Sequence, residues 1–245
     1  GLGDVYKRQE IARYMRQQHV DVLCFQEFGG NKHFTADSLR RALSHWQYAL
    51  IPADDSIRGL LPIAVFSRYP LTGGRFITYP HSSNCSMLCD IVAGTDTIRL
   101  LNNHLQTTGV SRNRKKWERE LTTDNTRREA QAVQDAAETL HENFVKRAAQ
   151  TDSICHLAIA APHPVLVCGD FNSLPSSYTY RRLSEFLEDG FKTGGHGYMY
   201  TYRYGKRMLR IDYAFHSPEL ECIDYYSPDL DLCSDHNPVI FTVKY

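Results

Sequence analysis

Val165-Leu166-Val167-Cys168-Gly169-Asp170-Phe171-Asn172, with Pro175 just beyond it, is the stretch that decides how the remainder of the chain is read. Four apolar residues in a row indicate a buried strand, and the glycine that follows lets the chain leave the sheet without a Cβ in the way. Asp170 and Asn172 then stand at a strand's C-terminal mouth. Positions i and i+2 leaving a strand point the same way, so a carboxylate and a carboxamide face one polar site while Phe171 turns inward. The carboxylate can hold a hard cation or a water, and the amide can hold an anionic oxygen. Gly-Asp after a strand is also an ordinary turn, so the stretch gains its meaning from its neighbours.

Four other stretches share its form. Val22-Leu23-Cys24-Phe25-Gln26-Glu27 ends a strand on a glutamate, and Leu100-Leu101-Asn102-Asn103-His104-Leu105 ends another on a histidine. Arg210-Ile211-Asp212-Tyr213-Ala214-Phe215 carries an aspartate in a strand-like run, and Ser234-Asp235-His236-Asn237-Pro238 precedes the closing strand Val239–Val243. In this order QE, NHL, GDFN, RIDY and SDHNP resemble the endonuclease/exonuclease/phosphatase superfamily, the metal-dependent phosphoesterases that include DNase I-like nucleases, sphingomyelinases and inositol polyphosphate phosphatases. The resemblance runs from about Val20 to the C-terminus, and GDFN with SDHNP is its most specific part.

That resemblance implies an α+β fold, a four-layer αββα sandwich of two mixed, mostly antiparallel sheets, with the site at one rim. It implies Mg²⁺ or Mn²⁺ as cofactor, with Glu27 as the main ligand and Asp235 assisting. A site with one or two carboxylates suits magnesium, which takes oxygen ligands and keeps several waters. His236 follows Asp235 directly, and Asp212 is placed to accept its other ring N–H, which fixes the tautomer and raises the imidazole's basicity. Asp170 competes with that pair for orienting the attacking water. Asn172 would hold the nucleophile or a phosphoryl oxygen, and His104 is carried over as acid or phosphate ligand. The expected reaction is hydrolysis of a phosphodiester, nuclease-like, by an activated water. A lipid or small-molecule phosphoesterase is the alternative, and a silent binding module the reading from another class. The partner implied is a phosphate ester: nucleic acid, phospholipid headgroup or small molecule. No obligate protein partner is evident, and a monomer is expected.

Composition bounds these readings. A chain of 245 residues can bury one large core, and a single domain over residues 10–245 is expected. Lys plus Arg equals Asp plus Glu at 28 each, so any grip on phosphates comes from local patches rather than a global positive field. Of the seven cysteines, Cys24, Cys89 and Cys168 fall in apolar strands and read as buried free thiols. Cys85 and Cys89 have no second pair at zinc-like spacing. No apolar run approaches the ~20 residues of a membrane span.

Along the chain, Gly1–Gln9 reads as a foreign lead-in, with a helix from Glu10 to Gln18 that carries Ile11, Tyr14 and Met15. The resemblance implies a first strand bearing an asparagine, and none precedes Ile11. Leu39, Ala42, Leu43 and Trp46 share one face of a helix over Phe34–Trp46. Trp46–Ile51, Ile63–Ser67, Arg75–Thr78, Met87–Val92 and Thr97–Asn103 are strand-like and follow one another without helices, which implies antiparallel pairing. The basic run Arg112–Lys116, interleaved with Glu118 and Glu120, reads as a solvated face. Thr126-x-x-Glu129 is a capping box opening a long helix whose stripe Ala130, Val133, Ala137, Leu140, Phe144 and Ala148 is expected in the core. Pro175-Ser176-Ser177 starts another, with Tyr180, Leu183 and Leu187 facing in. Gly194–Tyr204 is dense in Tyr and Gly, and reads equally as a stacking loop for a base, sugar or headgroup and as a hairpin of packed tyrosines.

Overall fold

A computed structural model of the protein describes residues 2–28, 36–52, 59–109, 126–204, 206–230 and 234–245, and side chains from residues 9, 37 and 130 onward in its first three helices. Strands β1 (Val22–Phe25), β2 (Tyr48–Leu50) and β3 (Ala64–Ser67) form an antiparallel sheet in the order β1-β3-β2. A second sheet holds β4 (Leu71–Thr78), β5 (Cys85–Ala93), β6 (Asp96–His104), β7 (Val165–Asp170), β8 (Glu188–Asp189) and β9 (Asp212–His216), in the order β4-β5-β6-β7-β9-β8. β6 and β7 run parallel, and its other pairs are antiparallel. The last strands, β10 (Glu221–Tyr226) and β11 (Ile240–Lys244), pair antiparallel with each other. The helices are α1 (Leu2–Gln17), α2 (Ala36–Ala42), α3 (Thr126–Ile159), α4 (Tyr178–Leu183) and α5 (Gly190–Gly194).

Alternation along the strands builds the layers, because successive side chains leave a strand on opposite faces. In β3, Ala64 and Phe66 pack with Ala12 of α1 and with Leu43 and Trp46 beyond α2, whereas Val65 packs the other way, against Cys89 and Leu100. In β7, Leu166 and Cys168 join that inter-sheet layer, whereas Val165 and Val167 meet Ile154, Cys155 and Ala158 of α3 and Leu183 of α4. Helices, sheet, sheet and helices therefore stack as the αββα sandwich expected from the sequence. Each Leu, Val or Phe buried in these layers contributes about 1.5–3 kcal/mol. The six cysteines among the described residues are free thiols, and Cys24, Cys89 and Cys168 lie in or against the inter-sheet layer.

Several boundaries differ from the sequence reading. α1 begins at Leu2 rather than Glu10, and α2 stops at Ala42, after which Trp46 is fixed by donating its indole N–H to Val20 O at 3.1 Å. Phe34, the basic run Arg112–Lys116 and the capping side chains Thr126 and Glu129 lie outside the described residues or side chains.

The larger correction concerns α3. Val133 is 59% exposed and Phe144 is 52% exposed, and Ala130 and Ala137 are exposed too, so most of the expected apolar stripe faces outward, with Leu140 and Ala148 half-buried. The buried face is Asn143, Arg147, Gln150, Thr151, Ile154, Cys155 and Ala158. Polar side chains won because the chain after β6 offers main-chain groups beneath this part of the helix. Unpaired buried groups cost more than an exposed phenylalanine does.

Candidate active site

Strand register brings the motifs together. His104, the last residue of β6, lies beside Asp170 of β7, and Asp170 lies opposite Asp212 of β9. Residues paired in register point to the same face, here the one turned toward the smaller sheet, so three chemically active side chains form one row at the rim. His104 Nε2 stands 3.7 Å from Asp170 Oδ2 and 4.0 Å from Glu27 Oε1. Its Nδ1 is buried without a hydrogen-bond partner among the described residues.

Two of the mouth residues are held in the left-handed region, Glu27 at φ 53° and Asn172 at φ 47°. Such backbone persists in non-glycine residues where surrounding contacts impose it. Asn172 is fixed three times. Its N–H donates to Asp170 Oδ1 at 2.8 Å, and its Nδ2 donates to Leu105 O at 3.0 Å and to Asp170 Oδ2 at 3.2 Å. Asp170 and Asn172 thus meet as expected, but through an Asx turn rather than through continued strand. Phe171 turns into the core as predicted.

His236 reaches the row from the loop before β11. Its Nδ1 contacts Asp212 Oδ2 at 2.9 Å, and its ring meets Tyr202 edge-on at 5.1 Å. The tyrosine-rich loop holds both partners. Thr201 Oγ1 accepts from Ile211 N and Asp212 N at 3.0 and 3.1 Å, Thr201 O accepts from Asn237 N at 2.7 Å, and Asp235 O accepts from Arg203 N at 2.9 Å. Tyr202 therefore packs, while Tyr198 and Tyr204 are 71% and 65% exposed. Tyr202 fits the packed-tyrosine reading of this loop.

Electrostatics follow from the crowding. Burial, then the charges of Asp212 and Glu27, push the Asp170 carboxyl up to about 8, although His236 and the Asn172 N–H pull the other way. Burial works against the charge on His236, but Asp212, by charge and hydrogen bond, and then Asp170 and Asp235 raise it to about 10. His104 is pushed down to about 4, by burial first, with Asp212 opposing and His236 assisting. Desolvation and then Asp235 raise Glu27, and His236 lowers it. Its side chain is 67% exposed, so of those causes the charges are the ones that report proximity.

The donor set suits a hard cation. Asp170, Asp212 and His236 each offer a ligand atom, and these atoms lie within 4.8 Å of one another. Asp212 and His236 already engage each other, which leaves the oxygens of Asp170 and the rim carboxylates Glu27 and Asp235. Burial raises the Asp170 carboxyl first, and the further rise from Asp212 and Glu27 marks a place where positive charge is missing.

Of the site residues named from the sequence, His104, Asp170, Asn172, Asp212, His236 and Glu27 are linked by these contacts. Asp235 is exposed at the mouth and acts on Glu27 and His236 through its charge. Motif order did not reveal Thr201, or what Gln26 and Asn102 do. Gln26 Nε2 donates to Asn102 Oδ1 at 2.7 Å, and Asn102 Nδ2 donates to Phe25 O and Ala64 O, tying the two sheets together below the rim. Nor does Arg210 of the RIDY motif serve the site. It forms a buried bidentate pair with Asp189 at 3.1 and 2.7 Å, and Asp189 also accepts from the Tyr180 hydroxyl. Asp189→Ala would leave a buried guanidinium unpaired and should lower stability by about 3–5 kcal/mol. Urea unfolding followed by fluorescence checks this, and a change below about 1 kcal/mol would mean the pair is not desolvated as described.

A DNase I-like sandwich with acids and imidazoles gathered at one rim defines the class of protein. The chain belongs to the Endonuclease/Exonuclease/phosphatase family, whose sequence model matches residues 1–236, and this membership supports a phosphoesterase. Among solved structures it is similar to an endonuclease/exonuclease/phosphatase from Bacteroides vulgatus, with 17% identity, a TM-score of 0.69, and coverage of 98% of this chain and 90% of that one. It is also similar to a D. rerio TDP2 humanized by 14 mutations, with 14% identity, a TM-score of 0.70, and coverage of 100% and 94%. A Beutenbergia cavernae endonuclease/exonuclease/phosphatase shares 18% identity at a TM-score of 0.67, over 97% of this chain and 66% of that one. No curated protein matches the chain by sequence.

Proposed function

We propose that the protein hydrolyses a phosphodiester, nuclease-like, with the aid of a divalent cation such as Mg²⁺ or Mn²⁺. The observation that carries the reading is the row His104–Asp170–Asp212 with His236 and Asn172 closing on it. Glu27 and Asp235 would hold the cation, which would neutralise charge on the phosphoryl oxygens.

Roles divide by protonation state. A general base works best with a pKa near the operating pH, and Asp170, pushed up to about 8, meets that condition. His236, raised to about 10, is an imidazolium at neutral pH and is suited to donating to a phosphoryl oxygen while Asp212 supports its charge. Asn172 orients the attacking water beside Asp170. His104 is neutral and able to donate a hydrogen bond toward the leaving oxygen. This choice takes Asp170, rather than the Asp212–His236 pair, as the proton acceptor.

Turnover of bis-p-nitrophenyl phosphate, with and without EDTA, tests the reading. EDTA-sensitive release of nitrophenol is expected; metal-independent turnover would refute the mechanism, and no turnover would favour a binding module. A second reading, a lipid or small phosphate ester as substrate, is favoured by the balance of 28 basic and 28 acidic residues. Salt separates the two. A polynucleotide substrate gives log KM a steep dependence on log salt through counterion release, whereas a small ester gives a nearly flat one.

A further inference from the structure

The segment leaving β6 is braced from outside the site. Gln106, two residues after His104, has all of its hydrogen-bonding groups engaged. Its N–H donates to Gln150 Oε1 at 2.7 Å, its carbonyl accepts from Arg147 Nη1 at 2.5 Å, its Oε1 accepts from Ser82 Oγ at 2.7 Å, and its Nε2 donates to Asn143 Oδ1 at 2.9 Å. Gln150 Nε2 closes the ring on Ser82 Oγ at 3.2 Å, and Asn143 Nδ2 holds Thr108 O at 3.1 Å. Arg147 and Gln150 are each 3% exposed, one turn apart on the buried face of α3. The preceding residue, Leu105, donates its N–H to Asp170 O at 2.9 Å and offers its carbonyl to Asn172 Nδ2.

We infer that Arg147 and Gln150 are positioning residues. By gripping the two sides of the Gln106 main chain they fix the Leu105 carbonyl, and through it the carboxamide of Asn172 beside Asp170. The inference rests on the phosphoesterase reading for its effect on turnover, but the brace itself does not. Two features support a positioning role over general packing. A buried guanidinium is a costly way to fill space, and among the described residues its hydrogen bond goes to one main-chain carbonyl while its face lies over the Phe144 ring at 4.9 Å. Apart from the exposed Phe144 ring, its contacts among the described residues run to the segment that connects His104 to the Asn172 amide, rather than to the apolar core. Arg147 also feels the charge of Asp170, which partly offsets the effect of burial on the guanidinium.

The test compares the parent chain with Arg147→Ala, Arg147→Lys, Asn172→Ala and the double variant Arg147→Ala/Asn172→Ala, on bis-p-nitrophenyl phosphate with Mg²⁺. Arg147→Ala is expected to lower kcat about 100-fold with KM within about threefold, the signature of a misplaced group rather than lost binding. Arg147→Lys, which keeps the charge but not the planar fork, should recover part of the loss. The double variant should be no worse than the poorer single variant to within about twofold, because both changes act through one amide. Losses that multiply, or a fully active Arg147→Ala, overturn the inference.

Hydrogen exchange reads the brace without turnover. In Arg147→Ala the amides of Leu105 and Gln106 should exchange at least about tenfold faster while those of Leu100 and Val167 keep their protection. Uniform acceleration, or none, overturns the inference. A parent chain without turnover would remove the phosphoesterase reading, and the exchange result would still decide the brace. If Arg147→Ala does not fold, Gln150→Met, which removes the acceptor for Gln106 N–H at similar volume, carries the same measurements.

Discussion

Asp170→Asn is expected to lower turnover of a phosphodiester by about 10³- to 10⁴-fold, at the upper end of what a positioned general base supplies. The carboxamide keeps the shape and its oxygen can still accept from the Asn172 N–H, but its NH2 group replaces the Oδ2 that accepts from Asn172 Nδ2, so the loss combines ionisation with one hydrogen bond. In the parent, kcat/KM should rise with pH as Asp170 gives up its proton and fall as His236 loses its own, with a bound cation moving both inflections below about 8 and about 10. The same substitution should change stability in the opposite sense. The folded-state pKa of Asp170 is raised from 3.8 to about 8, so the native state binds more protons than the unfolded chain between those values. Stability of the metal-free parent therefore falls as pH rises through that window, and Asp170→Asn removes this contribution. Melting temperatures in EDTA from pH 4 to 9 should show the variant gaining on the parent as pH rises; parallel curves would mean that Asp170 is not raised by its burial and its acidic neighbours.

Gly169→Ala should prevent folding or lower stability by more than about 4 kcal/mol, a range reserved for backbone and core disruptions. Gly169 has φ +129°, and a Cβ built on it would stand 1.9 Å from Asn103 O and 2.8 Å from Asn103 C and N. Nothing nearby can give way. The obstacle is main chain of β6, which is paired with β5 on its other side. Thermal unfolding by circular dichroism decides the point; a variant melting within a few degrees of the parent would show that β6 and β7 do not approach this closely at the rim.

The layered fold and the row of site residues were legible because both depend on period-two alternation and on which residue ends each strand. Val22–Phe25, Ala64–Ser67 and Val165–Asp170 carry that signal in a few residues each. Register was not legible, since the pairing of His104 with Asp170 is fixed across a 34-residue helix and not by a turn. The face of that helix was misread because hydrophobicity was weighed without its surroundings. Val133 and Phe144 look like core until the Gln106 main chain needs partners, and then Asn143, Arg147 and Gln150 take the inward side. Arg210, the first residue of the RIDY motif, was equally opaque. One-dimensional adjacency does not tell which way a side chain leaves the chain two residues before a strand, and this one leaves toward Asp189.

The one parallel neighbour pair within the large sheet has an evolutionary corollary. Two strands that travel the same way cannot be joined by a tight hairpin, so the chain must make a long return between His104 and Val165. Apart from Leu105, which bonds Asp170 and Asn172 through its main chain, and the few inward positions that grip Gln106, the described part of that return makes no hydrogen bond to the rim residues. Lineages, or protein engineers, are thus free to lengthen it or graft a new module onto its outer side and so diversify what the enzyme associates with, while the chemistry downstream stays untouched.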